Sequence, residues 1–183
     1  MGNLDLIEHY ISSEEIASGG MLTVKRDQVR LPNGHQSQRE YVIHPGAVVI
    51  VPILPNGNVL LERQFRYPLH QVFIELPAGK IDAGEEVLMT GQRELLEETG
   101  YTARHWVKLG LQHPCIGYSN EVIHMYLAQE MQAGQHQRDE DESLEVFELS
   151  VRDCIEMIYQ GQITDGKTIV AMMFADRYLS QHG

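Results

Sequence analysis

Gly79-Lys-Ile-Asp-Ala-Gly-Glu85-Glu-Val-Leu-Met-Thr-Gly-Gln-Arg93-Glu94-Leu-Leu-Glu97-Glu98-Thr-Gly100-Tyr101 places an arginine and three carboxylates within six residues. At 100° per residue, a helix here gathers Glu94, Glu97 and Glu98 into an arc of about 100°, with Arg93 beside them. Like charges at that spacing repel, so the pattern implies something positive among them. Carboxylate oxygens suit a hard divalent cation such as Mg²⁺ or Mn²⁺. No Cys or His lies in the stretch, which argues against a thiolate or imidazole zinc site there. A solvated acidic face is the ordinary fate of a Glu-rich helix; the spacing is what argues against it here.

That spacing is Gly-x5-Glu-x7-Arg-Glu-U-x-Glu-Glu-x-Gly-U, with U a bulky apolar residue, and only the last position departs, Tyr101 standing in place of an aliphatic side chain. In this form the stretch resembles a Nudix box. Its flanks, Arg39-Glu40, His44-Pro45-Gly46-Ala47-Val48, Arg63-Gln64-Phe65-Arg66-Tyr67 and Glu75-Leu76-Pro77-Ala78, resemble the ADP-ribose pyrophosphatase branch of the Nudix hydrolases, and the likeness covers most of residues 39–180. It implies an α/β Nudix fold, an α/β/α sandwich around a mixed β-sheet with a preceding N-terminal β segment. It further implies a homodimer whose intertwined N-terminal segments help build each other's site. The division expected is residues 1–40 as that dimer-forming β segment and 41–183 as the hydrolase domain. One departure bears on substrate: Ile116 sits where the branch often carries a proline, while Gly117, Ser119 and Glu121 fit.

Composition agrees with an enzyme of this kind. A chain of 183 residues with 43% hydrophobic content builds one domain with a sizeable core and at most a short appendage. A net charge of −12 and a pI near 5.1 disfavour general electrostatic binding to nucleic acid or an anionic membrane, and require metal or local arginine to hold a polyphosphate. Cys115 and Cys154 are the only cysteines; they form no disulfide framework or metal spacing and read as inert core thiols in a reducing compartment. Asp5 and Glu8 interrupt any apolar leader, and the longest apolar run, Ala47 to Leu54, is too short to span a bilayer. A cytoplasmic location is expected.

Along the chain, Met21–Val29 and Glu40–Ile43 read as strands, and Ala47–Leu54 and Asn58–Gln64 flank Pro55-Asn56-Gly57 as a hairpin. Asp82 with Glu85 resembles a capping box, and Gly100 ends the box helix at a residue able to take positive φ. Gly91 within that helix implies close backbone approach, since it costs about 1 kcal/mol relative to Ala. Val107–Gln112, Glu121–Ala128 and Leu144–Leu149 read as strands and Gln129–Asp141 as a polar loop. Ser150 is the expected N-cap of a helix ending at Gly161, with a last helix over about Lys167–Ser180.

Gly161-Gln-Ile-Thr-Asp-Gly166-Lys167-Thr168 satisfies the phosphate-binding expression G-x4-G-K-T letter for letter. That expression needs a preceding strand, whereas the preceding residues follow an amphipathic helical pattern. A turn between two helices, N-capped by Thr164 or Asp165, is the expectation instead.

The resemblance implies the roles. Glu94, Glu97 and Glu98, with the backbone carbonyl of Ala78, would hold Mg²⁺, or Mn²⁺, against a diphosphate, and Glu85 and Arg93 would orient the cluster. The acidic stretch Asp139–Glu142 lies where the branch places its base, and Glu142 best matches that position, with Glu140 and Asp141 as alternatives. Arg39 and Arg66 are candidate phosphate or ribose contacts, because a guanidinium fork engages two oxygens at once. Glu75 is a candidate for adenine or a ribose hydroxyl. Phe65, Tyr67 and Tyr118 are candidates for base stacking, although strand aromatics more often belong to the core, and His44 reads as structural.

The function implied is Mg²⁺-dependent hydrolysis of a nucleoside diphosphate sugar, with ADP-ribose giving AMP and ribose 5-phosphate as the leading substrate. GDP-mannose or another nucleotide sugar is the alternative, because a related group shares the Asp165-Gly166-Lys167-Thr168 turn. A metabolite-binding sensor is the reading from another class; such a module would be expected to lose box carboxylates or carry a basic DNA-binding segment, and this chain does neither.

Overall fold

The computed structural model describes residues 6–20, 22–134 and 143–182. They form two compact units, residues 1–44 with 115–121 and residues 45–114 with 122–183.

In the first unit, β1 (His9–Ser18), β2 (Thr23–Arg30) and β3 (Gln36–Ile43) make an antiparallel meander in that order. β3 begins four residues before the sequence expectation, and β1 was not expected. Neither stretch alternates in hydrophobicity, so pairing rather than amphipathic pattern sets their extent. The tie between β2 and β3 is a turn at Leu31–His35, with Gly34 at φ 86°, and it pairs Arg30 with Gln36. Across the sheet Glu14, Arg26 and Glu40 lie side by side, and Arg26 bonds both carboxylates at 2.7–2.8 Å. Opposite charges placed directly across a ladder stabilise a register that apolar contacts leave weak.

The second unit contains β4 (Ala47–Pro52), β5 (Asn58–Arg66), β6 (Gln71–Glu75), β7 (Ala78–Lys80), α1 (Val87–Thr99), β8 (Tyr101–Gln112), β9 (Ile123–Ala133), β10 (Leu144–Ser150), α2 (Val151–Tyr159) and α3 (Gly166–His182). A mixed sheet runs β7-β4-β9-β8, with β4 and β9 parallel, and a second, antiparallel sheet runs β10-β5-β6. β4 explains the layering. Its side chains alternate between faces: Val49 and Val51 pack with Met172 and Ala175 of α3, whereas Val48 and Ile50 pack with Leu95 of α1. Helices therefore cover both faces of one buried strand, the sandwich expected.

The hairpin expectation needs correction. Pro55-Asn56-Gly57 does turn the chain, with Gly57 at φ 84° and Leu54 N–H donating to the Asn58 carbonyl at 2.8 Å. Beyond one bridge, Ile53 to Val59, however, β4 and β5 part into different sheets. Both strands bury consecutive residues on both faces, and such strands each take central places with separate partners. The expected polar loop after residue 128 is also shortened: pairing with β8, which runs back to Tyr101, carries β9 on to Ala133.

Gly91 lies buried on α1, where an added Cβ would stand 3.1 Å from Val48 Cγ1. That close helix–sheet approach is the reason a poor helix former is kept there. Ser150 caps α2 as expected, its Oγ accepting from Asp153 N–H at 3.0 Å. Gly161–Thr168 links α2 to α3 with no strand before it, so it lacks the setting of a phosphate-binding loop. Cys154 is buried, its thiol pushed up by burial to about 12. Cys115 is only half-buried and donates to the Tyr118 hydroxyl at 3.0 Å, so it is not a core thiol. No helix among the described residues is long and apolar enough to cross a membrane.

Candidate active site

Two neighbours in the sheet, β4 and β7, carry the segment that faces α1. Ala78 pairs with Val49, Ile50 N–H donates to the Pro77 carbonyl at 2.9 Å, and Ala78 N–H donates to Glu98 Oε2 at 3.0 Å. The last bond ties the strand directly to the helix. Gly79 follows, and a Cβ there would overlap the Glu94 carboxyl group. Glycine is thus needed because Glu94 occupies the side-chain space above the strand.

On α1, Glu94 and Glu98 are buried and Glu97 is half-buried. Arg93 is the hub. Its Nε and Nη2 donate to the two oxygens of Glu85, both at 3.0 Å, and Nη1 donates to Glu94 Oε1 at 2.8 Å and Glu97 Oε2 at 2.9 Å. Nη2 also reaches the Lys80 carbonyl at 3.3 Å. The positive partner that the acidic arc implied is, in this structure, a guanidinium whose rigid fork serves three carboxylates together. Its pKa is raised, chiefly by the hydrogen bond to Glu85 and against the effect of burial.

The capping-box expectation is revised. α1 starts at Val87, and Glu86 precedes it without a side-chain cap. Asp82 and Glu85 instead close a turn before the helix, Glu85 N–H donating to the Asp82 carbonyl at 3.0 Å. Glu85 is thereby left to face Arg93 and to accept from the Thr90 hydroxyl at 2.7 Å. Thr90 was not singled out from sequence. Its place one helical turn before Glu94 was the available signal.

Arg93, then Thr90, lowers the Glu85 carboxyl to about 2 from an ordinary 4.5. A carboxylate depressed in the fold contributes stability that is present above its unfolded pKa and is lost as pH falls through the folded value. The stability difference between wild type and Glu85→Gln is therefore expected to hold steady down to pH 4.5 and to shrink between 4.5 and about 2. Urea titrations across that range read it directly. A difference that stays constant to the acid limit would remove the Glu85–Arg93 pair as its source.

A second charged cluster lies on β5, β6 and the start of α3. Arg66 Nε and Nη2 donate to the two oxygens of Glu75, both at 2.7 Å, and Lys167 Nζ donates to the same carboxylate. Burial pushes the Glu75 carboxyl up, but Arg66 and Lys167 more than offset this and leave it below its ordinary value. Two residues expected to meet substrate separately thus hold each other, in the wall of a pocket of about 300 Å³ that Asp165 also lines. Sequence reasoning missed Lys167 and Asp165 as members. They stand some 90 residues from Glu75, and neither the false phosphate-loop match nor the turn shared with a related group says that they meet Glu75.

Arg39 belongs to the first unit, on β3, and there bonds Glu8 through Nε at 2.9 Å and Nη2 at 2.5 Å. Glu142 and its alternatives Glu140 and Asp141 lie outside the described residues. Phe65, Tyr67 and Tyr118 are 52%, 73% and 60% exposed, which overturns the core reading of these aromatics. An open pocket of about 550 Å³, lined by Glu85, Arg93, Glu97, Met89 and Trp106 among others, adjoins the box helix. A larger hollow of about 950 Å³ runs along Leu144–Glu148 and contains no box carboxylate.

Among the described residues, no three His, Cys, Asp or Glu side chains converge on one ready cation position, since Arg93 draws Glu94 and Glu97 toward itself. The donors still fit a hard cation by their chemistry: Glu94, Glu97 and Glu98 offer only carboxylate oxygens from one helical arc, beside the backbone of Ala78.

The NUDIX domain profile matches residues 43–169. An ADP-ribose pyrophosphatase of Bacillus subtilis (strain 168) is 39% identical over 171 residues, 92% of each chain. A GDP-mannose pyrophosphatase of Yersinia enterocolitica is 38% identical over 142 residues, 71% of this chain and 72% of its own. A solved structure described as a crystal structure of ADP compounds hydrolase has the same fold, with a TM-score of 0.87 at 22% identity over 96% of both chains. The chain therefore belongs to the Nudix family of hydrolases, in its ADP-ribose pyrophosphatase branch, and is a pyrophosphatase enzyme.

Proposed function

We propose that this enzyme cleaves the diphosphate bond of a nucleoside diphosphate sugar in the presence of Mg²⁺, with ADP-ribose as the substrate and AMP and ribose 5-phosphate as products. The observation that carries the reading is the carboxylate set of α1, with Arg93 gathering Glu85, Glu94 and Glu97 while Glu98 is held by Ala78 N–H. A bound divalent cation, Mg²⁺ or Mn²⁺, would neutralise diphosphate charge and supply a water of lowered pKa. Glu94, Glu97, Glu98 and the carbonyl of Ala78 are the residues that would hold it. Arg93, itself held by Glu85, keeps Glu94 and Glu97 together on one side of α1 in this structure, and these carboxylates would turn from the guanidinium to the cation when it binds.

Glu142 is our candidate for the base that takes the proton from the attacking water. Arg66 and Arg39 are our candidates for the phosphate and ribose oxygens, and Glu75 for a base or ribose hydroxyl donor, with Arg66 exchanging part of its bond to Glu75 for the ligand. A homodimer formed through residues 1–40 is part of the reading; Leu6, Ile7 and Tyr10 are each more than 60% exposed, and large apolar side chains grouped at a surface favour a protein partner. Two unpaired cysteines suit a reducing cytoplasm.

GDP-mannose is the second reading. It is favoured by the Asp165–Thr168 turn standing against Glu75 and by the likeness to the Yersinia enzyme. Incubation with Mg²⁺ and either ADP-ribose or GDP-mannose, beside Glu98→Gln, distinguishes the two by product mass. AMP and ribose 5-phosphate from the wild type, with a loss of about 10²–10³-fold in the variant, is the expected result. Preference for GDP-mannose selects the second reading, and cleavage of neither sinks both.

A further inference from the structure

The Gly166-Lys167-Thr168 turn, which matched a phosphate loop in letters only, is tied to the candidate centre by another route. Thr168 is fully buried at the start of α3. Its hydroxyl donates to Asp165 Oδ2 at 2.6 Å and accepts from the backbone N–H of Leu76 at 2.8 Å. Asp165 Oδ2 also accepts from Thr168 N–H at 3.0 Å and from Lys167 Nζ at 3.0 Å, so the hydroxyl is locked in the orientation that leaves its lone pair toward Leu76. Leu76 and Pro77 join β6 to β7 outside either strand. Pro77 has no N–H, so the Leu76 N–H is the connector's one backbone donor. Two residues later Ala78 N–H holds Glu98, and Gly79 faces Glu94.

We infer that Thr168, oriented by Asp165, is a positioning residue for the carboxylate centre: its bond to Leu76 N–H sets where Ala78 and Gly79 lie, and through them Glu98 and Glu94. The inference rests on the metal-assisted reading above. A buried N–H left without an acceptor pulls its segment toward another partner, and a shift of the strand by a fraction of an ångström is passed on to Glu98 because Ala78 bonds it directly. Lys167 secures the same turn from the other side through Glu75.

The test compares Thr168→Val, Thr168→Ser and Met172→Ala, the last a core truncation on the same helix that touches none of these bonds. Two measurements are made on the folded proteins: Mn²⁺ affinity by electron paramagnetic resonance, and steady-state kinetics, giving kcat and KM, on the nucleotide sugar that the wild type cleaves. Thr168→Val is expected to weaken Mn²⁺ binding and lower kcat by about 10–100-fold, the range for residues that hold metal ligands in place, with KM within about twofold. Thr168→Ser, which keeps the hydroxyl, should restore both. Met172→Ala should lose stability while keeping both. Should Thr168→Val not fold, Asp165→Asn is read in its place, with a smaller loss in the same direction.

Wild-type Mn²⁺ affinity in Thr168→Val, or an equal loss in Met172→Ala, overturns the inference. Failure of the wild type itself to bind Mn²⁺ is a separate result, and it brings down the underlying reading together with this one.

Discussion

Gly79→Ala is expected to lower turnover by about 10²-fold or more, the loss associated with displacing a reacting group by about 1 Å. The cause is steric. The new methyl group would overlap the Glu94 carboxyl group, and two solid objects cannot share that volume. Glu94 is buried and bonded to Arg93 at 2.8 Å, so it cannot move aside without breaking an ion pair. The strand cannot retreat either, because Ala78 is bound on one side to Val49 in the ladder and on the other to Glu98. Gly79 has no positive φ, so backbone strain plays no part and Gly79→Ala isolates the overlap. Steady-state kinetics with a folded-state check by circular dichroism decide the matter. Activity within a fewfold of wild type would falsify the claim that Glu94 must lie against Gly79 for the reaction.

Arg93→Met is expected to cost about 2 kcal/mol of stability and about 10²-fold in turnover. Removing one member of a buried ion pair costs about 3–5 kcal/mol. The Arg93 side chain is 30% exposed, so water screens part of that loss. Three carboxylates would be left facing one another, and they would spread to relieve the repulsion, taking Glu94 and Glu97 out of register with Glu98. Arg93→Lys provides the contrast. A lysine keeps the charge but offers a point rather than a fork, and one ammonium cannot serve Glu85, Glu94, Glu97 and the Lys80 carbonyl in the directions that Arg93 does. About half the stability should return and little of the turnover. Urea unfolding and kinetics on the same preparations read both, and full activity in Arg93→Lys would show that charge alone suffices.

Legibility in the sequence followed from how local each feature is. The helix of the box, its end at Gly100, the cap at Ser150 and the turn at Pro55-Asn56-Gly57 all depend on neighbours within a few residues, and each stands where the residues imply. The start of α1 was misplaced by the same locality: Asp82 and Glu85 satisfy a capping pattern, but Arg93, eight residues on, offers Glu85 a stronger partner than a helix N–H does. β1 and the first half of β3 carry no alternation, so only their ladder partners reveal them.

Spacing alone was enough to read a hard-cation face, and the resemblance of the box and its flanks added the class of reaction. A fixed spacing of carboxylates and arginine on a helical period is a statement about one face of one helix, and no tertiary context is needed to read it. What those groups touch depends on the folded chain. The parting of β4 from β5 depends on which strands compete for two doubly buried edges, and the pairing of Glu75 with Lys167 joins residues 92 apart in the chain. The same holds for Thr168 and Leu76, and for the overlap that makes Gly79 obligatory. Hydrophobic periodicity carries no information about contacts of that range, because it records which face is buried and not what covers it.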